Sequence, residues 1–208
     1  MKGLLLKDLY MMRYYCRSYL LITLVFFAVS FVNSENLFFV FYPCLLCGMI
    51  PVNLLSYDER SRFVRYSATL PYTRAQVVSA KYLLGLFTQL AVLILTGIVQ
   101  GIRMRINGTF IPGDFAVMIL AILIVSTMSS SIPLPFIFKY GAEKGRLAYY
   151  VMIGFVCAAG ALFSELFKGK FQNGSSSGTL FLLLSVIAIC VYILSWYLST
   201  MFYQKREL

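Results

Sequence analysis

Residues 82–102 read YLLGLFTQLAVLILTGIVQGI, 21 consecutive positions without a charged side chain. A helix needs roughly 20 such residues to cross the hydrocarbon of a bilayer, and it keeps its own backbone donors and acceptors paired, as lipid demands. Outward from this stretch, the remaining charged residues leave five more charge-free windows: 18–34, 36–57, 115–138, 147–164 and 171–204. The last opens with FQNGSSSGT, a flexible polar run, which narrows its spanning part to 180–203. The pattern predicts an all-α integral membrane protein with six transmembrane helices, at about 18–34, 36–57, 80–102, 115–138, 147–164 and 180–203. The first is the shortest and is expected to run with little tilt or partly in the interface. Composition agrees: the chain is 60% apolar and only 12% charged, with a mean hydropathy of +0.81. A soluble fold of 208 residues has too little interior to hide that much apolar surface.

Lysine and arginine set the orientation. Residues 2–17, 60–81, 139–146 and 205–206 carry 14 of the 18 cations, and the alternate segments carry only Arg103, Arg105, Lys168 and Lys170. Both termini are therefore expected in the cytoplasm. The net charge of +10 reads as this topology signal plus attraction to anionic lipid, rather than as nucleic-acid binding. No small-x-small cleavage site follows the basic N-terminus, so it is expected to be retained.

Plotted at 100° per residue, residues 2–17 are amphipathic, with Leu4, Leu5, Leu9, Met11, Met12, Tyr15 and Cys16 on one arc and Lys2, Lys7, Arg13 and Arg17 on the other. This predicts an N-terminal interfacial helix over 1–17. Asp8 falls in the middle of the apolar arc, where it is either a snorkelling carboxylate or one salt-bridged to a cation of a cytoplasmic loop. The 56–82 stretch, SYDERSRFVRYSATLPYTRAQVVSAKY, is richer. Ser56 and Glu59 have capping-box spacing, Asp58 and Arg62 stand four apart, and Phe63, Tyr66 and Leu70 share a side before Pro71. A short cytoplasmic helix over 58–71 follows, either a docking element for a cytosolic partner or a solvated loop. Thr73 and Gln76 form a second capping box with Tyr72 and Val77 as a hydrophobic staple, so the third span's helix is expected to begin at Thr73.

No window holds an acid or a base away from its ends, so any transport draws its energy from elsewhere than an intramembrane carboxylate. Gln89, Gln100 and the run Ser126–Ser131 are the main intramembrane polar groups; they serve helix packing or line a substrate path, Gln89, Gln100, Ser126 and Ser130 being the candidates. Pro133 and Pro135 predict a break in the fourth span, and Gly154, Ala158 and Ala161 a close helix contact in the fifth. There is no histidine, no P-loop and no GxSxG or HExxH, so the chain is expected not to be an enzyme and to hold no catalytic, cofactor or metal site. The five cysteines read as buried free thiols.

The opening MKGLLLKDLY and the stretch YDERSRFVRYSATLPYTRAQVVSAKYL together resemble the permease subunits of ABC-2 type transporters, and the resemblance extends over 1–208 as one transmembrane domain. The short form, without a large external domain, is similar to bacterial permeases that export phenol-soluble modulins and antimicrobial peptides. The resemblance implies a bacterial cytoplasmic-membrane protein with two cytosolic ABC ATPase subunits carrying ATP and Mg, and a second permease chain, identical or related. It makes 58–71 a coupling helix, with Asp58, Glu59, Arg60, Arg62, Phe63, Arg65, Tyr66, Leu70, Pro71, Tyr72 and Arg74 as contacts, and it places Lys7, Asp8 and Arg13 of the interfacial helix nearby. The competing reading is a non-transporting membrane protein: an immunity factor, a scaffold or a small channel.

Overall fold

The computed structural model describes residues 2–32, 38–63, 66, 72–108, 110–141, 144, 147, 150, 151, 153, 154, 158 and 174–205. Within them run α1 (Lys2–Tyr15), α2 (Arg17–Val32), α3 (Phe38–Arg60), α4 (Arg74–Ile106), α5 (Pro112–Ser131), α6 (Pro133–Tyr140) and α7 (Gly174–Lys205). Four stretches are long and apolar enough to cross a membrane: Val40–Arg60, Arg74–Ile106, Pro112–Tyr140 and Gly178–Lys205. The pair α1–α2, bent by 67° at Cys16, raises the number to five if it counts as one span. The expected span over 147–164 lies largely outside the described residues. Of its small-residue face, Gly154 and Ala158 are exposed and Ala161 is outside the description.

Helix boundaries follow local chemistry. Thr73 caps α4: its hydroxyl accepts from the Gln76 N–H at 3.3 Å, and its own N–H donates to Gln76 Oε1 at 3.1 Å. With 33 residues, α4 is about 50 Å long, well beyond the hydrocarbon thickness, so it extends past lipid at one end or both. Pro112 opens α5, where its missing N–H is harmless. The expected break in the fourth span falls at Ile132, between α5 and α6. Pro133 and Pro135 cannot donate to the carbonyls of Ser129 and Ser131; Ser195 of α7 replaces one of these bonds, its Oγ donating to Ser131 O at 2.5 Å.

Two boundaries depart from expectation. The helix of the second span runs on through Arg60, so Ser56 and Glu59 sit inside it and cap nothing; the charge of Asp58, which ended the predicted span at 57, is neutralised there by other helices. The chain turns instead at Ser61 and Arg62, with Arg62 at φ 55°. α7 begins at Gly174, so GSSSGT extends the last helix rather than forming a flexible link. Extension of an established helix adds one hydrogen bond per residue ordered.

The bundle's outer face is apolar, and its interior mixes apolar clusters with small and polar side chains. On α7, Ser185, Ala188, Tyr192, Ser195, Ser199 and Tyr203 form the buried stripe, while Leu183, Val186, Ile187, Ile193, Leu194 and Tyr197 are exposed. On α4, Lys81, Gly85, Thr88, Gln89, Thr96 and Gln100 turn inward, and Phe87, Leu90, Ile94, Ile98 and Ile102 turn outward. This is the arrangement of helices solvated by lipid, where small and polar side chains make the interhelical contacts. α3 and α5 approach closely at Gly48. A Cβ there would overlap the Ser129 side chain, at 2.7 Å from its Cβ. Cys16, Cys44 and Cys47 are buried; Cys190 is exposed, contrary to expectation, because it falls on the outward face of α7. Cys157 is outside the description.

The replacement Gly48→Ala is expected to destabilise the bundle by about 1–3 kcal/mol, the usual cost of overpacking. The variant Gly48→Ala with Ser129→Gly should recover most of the loss. Thermal unfolding of the detergent-purified chain measures both, and an unchanged melting point for Gly48→Ala would refute the close approach.

Candidate functional site

One end of the bundle gathers four charges from three helices. Asp8 of α1, in the middle of the arc that faces inward, is fully buried; Asp58 and Lys81 are nearly so. Lys81 Nζ lies 2.7 Å from Asp8 Oδ1 and 2.6 Å from Asp58 Oδ2. Lys7 Nζ closes the ring, 2.8 Å from Asp58 Oδ1 and 3.3 Å from Asp8 Oδ1. The ring is electrically neutral. It joins α1, the end of α3 and the third turn of α4, so each helix is held by charges on the other two. Lys7 also stands over the Phe63 ring, 3.5 Å from its centroid, a cation–π contact that ties the residues just past the Arg62 turn to α1. Asp8 is thus salt-bridged to a cation of the 56–82 stretch, the second of its two readings. Asp8 Oδ2 has no hydrogen-bond partner among the described residues. An unsatisfied buried acceptor costs about 1–3 kcal/mol, so the arrangement is not optimised for stability alone.

A second set of contacts lies beside the ring. The Tyr82 hydroxyl is 2.6 Å from Ser199 Oγ and 2.7 Å from Ser195 Oγ, and its ring stacks on Trp196 at 5.7 Å between centroids. Tyr192 donates back to the Tyr82 carbonyl at 2.9 Å. Arg74 donates to the carbonyls of Gln204 at 3.0 Å and Tyr203 at 3.5 Å, so the first residue of α4 satisfies the last acceptors of α7 and places a cation at that helix's negative end. The first turns of α4 therefore grip α1 and α3 on one side and α7 on the other.

The expected contact residues divide accordingly. Asp58 is turned inward, and it pairs with Lys7 and Lys81, not with Arg62. Phe63 and Tyr72 are half-buried against the core cluster, and Arg74 caps α7. Arg60, Arg62 and Tyr66 are exposed, Glu59 is half-buried, and Arg65, Leu70 and Pro71 lie outside the described residues, as does half of the predicted 58–71 helix. Arg13 is exposed on α1. Gln89, Gln100, Ser126 and Ser130 are all buried. Gln89 donates to Ser130 Oγ at 2.6 Å, Gln100 to Ser30 Oγ at 3.0 Å and Ser126 to Leu123 O at 3.0 Å. Gln89 and Gln100 thus bond across to neighbouring helices, and Ser126 bonds within its own. Sequence reasoning missed Lys81 and Tyr82 as site residues. The signal was available: an N-cap at Thr73 puts Lys81 two turns inside a helix, where a solvated loop lysine does not belong.

A family model described as ABC-2 family transporter protein matches residues 3–204. The chain belongs to that family. No curated protein and no solved structure matches it. The ABC-2 assignment and the apolar helices together make this a multi-pass membrane protein of a transporter family. In this ABC-2 chain the amphipathic start and the 56–82 stretch, far apart in sequence, meet at the four-charge ring.

Lys81→Met leaves two buried carboxylates facing one ammonium and is expected to cost about 3–5 kcal/mol. Adding Asp8→Leu restores neutrality around the Lys7–Asp58 pair and should return part of that loss, a non-additivity expected of contacting charges. Chemical unfolding of the three variants in detergent measures it. Strictly additive losses would show that the ring does not act as one unit.

Proposed function

We propose that the chain is the transmembrane permease subunit of an ABC exporter in a bacterial cytoplasmic membrane, with both termini and the charged end on the cytoplasmic side. A separate cytosolic ABC ATPase, in two copies, binds and hydrolyses ATP with Mg, and a second permease chain, identical or related, completes the membrane unit. The cargo is an amphipathic, antimicrobial-type peptide. The chain itself carries out no bond chemistry.

The observation that carries this reading is the anchoring, at Phe63, of the chain that leaves α3 in a member of the ABC-2 family. Its exposed Arg60, Arg62 and Tyr66 stand on a base where α1, α3 and α4 are locked by the ring and by Phe63 under Lys7. A push on that segment reaches three helices at once, and through Tyr82 and Arg74 it reaches α7. Packed interfaces of this kind switch between discrete arrangements rather than deforming smoothly. An ATPase that binds one arrangement better in its ATP state shifts the balance by its difference in affinity.

Purification from native membranes in mild detergent is expected to bring down a P-loop ATPase at about one copy per permease chain, identified by mass spectrometry. Arg62→Glu with Arg65→Glu should abolish substrate-stimulated ATP hydrolysis while leaving insertion intact. Arg62→Gly separates charge from backbone, because glycine suits the left-handed φ at this position; it should keep the turn and still weaken coupling. No ATPase under cross-linking, or ion conduction by the chain alone, would transfer the assignment to a scaffold, immunity factor or channel.

A further inference from the structure

The elbow between α1 and α2 has features that the ring and the 60–66 segment do not use. A cavity of about 660 Å³ opens there, lined by Tyr10, Arg13, Tyr14, Arg17 and Leu20. Arg13 and Arg17 are exposed, four residues apart, and neither meets a carboxylate among the described residues. Arg17 is also the first residue of α2, a helix of 16 residues, whose leading N–H groups lack acceptors within the helix and carry its positive end. A second, apolar crevice of about 220 Å³ shares Leu20 with this cavity and continues between α2 and α4, past Leu24, Phe27, Phe87, Ala91 and Leu95. From Leu20 to Phe27 it follows α2 for about 10 Å. A basic, tyrosine-flanked cavity thus adjoins an apolar crevice lined by α2, α3 and α4, with Leu20 common to both.

We propose that this elbow holds one anionic phospholipid. Its phosphate sits between Arg13, Arg17 and the start of α2; Tyr10 and Tyr14 flank the headgroup at the membrane surface; one acyl chain lies in the crevice. Two guanidiniums forming charge-assisted hydrogen bonds favour a phosphate bearing net charge over a zwitterionic headgroup whose own cation they would repel. The apolar crevice on the other side of Leu20, which lines both cavities, favours a lipid over free phosphate, which has nothing to place there. The proposal is independent of what, if anything, the chain exports.

The test is native mass spectrometry of the full chain purified with phosphatidylglycerol or with phosphatidylcholine of equal chain length. The wild-type chain is expected to retain one phosphatidylglycerol and to lose phosphatidylcholine. Arg13→Gln with Arg17→Gln should weaken phosphatidylglycerol retention roughly thirtyfold. Ala91→Trp, which fills the crevice without touching a charge, should displace the same lipid, so the proposal is decided even if the double variant fails to fold. Equal retention of the two lipids by the wild-type chain, or unchanged retention in either variant, would overturn it. Displacement of the lipid by inorganic phosphate at matched concentration would reassign the elbow to a simple anion site, and displacement by an amphipathic peptide would make it part of a cargo path.

Discussion

A carboxylate or an ammonium can be taken out of water only beside its opposite, and at the charged end of this bundle that requirement falls on three helices at once. Lys7 and Asp8 are adjacent on α1, yet neither is satisfied by its neighbour alone: Asp8 needs Lys81 and Lys7 needs Asp58. Removing α3 or α4 leaves an unbalanced charge on the helices that remain. Ion pairs of this kind seldom add stability over apolar residues of the same volume, and the orphaned Asp8 Oδ2 argues against a stability optimum here. Their effect is to permit one relative placement of α1, α3 and α4. Because the four charges sum to zero, the ring can also lie close to hydrocarbon without carrying a net charge toward it.

Everything further along α4 inherits that placement. With Lys81 fixed, Tyr82 meets Ser195, Ser199 and Trp196 of α7, and Thr88, Gln89, Thr96 and Gln100 face the neighbouring helices one turn after another. Lipid offers no hydrophobic drive to bring helices together, so close contact depends on steric fit and on polar pairs. Gly48 against Ser129 is the fit. The serines of α5 and α7 supply much of the pairing, and those that bond only to their own helix's carbonyls, such as Ser185 to Leu182, keep a polar face satisfied without a partner.

Much of this was legible before any coordinates. Charge-free windows located the long spans, because a charge inside lipid is costly enough to be excluded. Thr73 and Gln76 announced the start of α4, and Asp8 was visible as the wrong residue on an apolar arc. What misled was local pattern. Ser56 and Glu59 have the spacing of a capping box, but a cap works only where the preceding chain is not helical, and here α3 simply continues. Asp58 and Arg62 have the favourable spacing for a pair worth about 0.3–0.5 kcal/mol on a helix surface. Lys7 and Lys81 offer Asp58 two buried contacts instead, and the chain leaves the helix before Arg62 could turn toward it. Of the site, Lys7, Asp8 and Asp58 were readable, but Lys81 and Tyr82 were missed and the pairing was not specified, since partners 51 and 73 positions apart leave no periodic trace.

The bond from Ser195 to the Ser131 carbonyl bears on how the chain is made. Synthesis delivers α5 and α6 to the membrane before α7 exists, and until α7 arrives the proline-broken junction carries a carbonyl that nothing in its own segment can satisfy. An open backbone group in hydrocarbon costs several kcal/mol. The fourth span's backbone is thus completed by a side chain of the last helix, and the two spans are finished only together. A chain cut short before Ser195 would retain its long apolar segments while remaining marked, at one carbonyl, as incomplete.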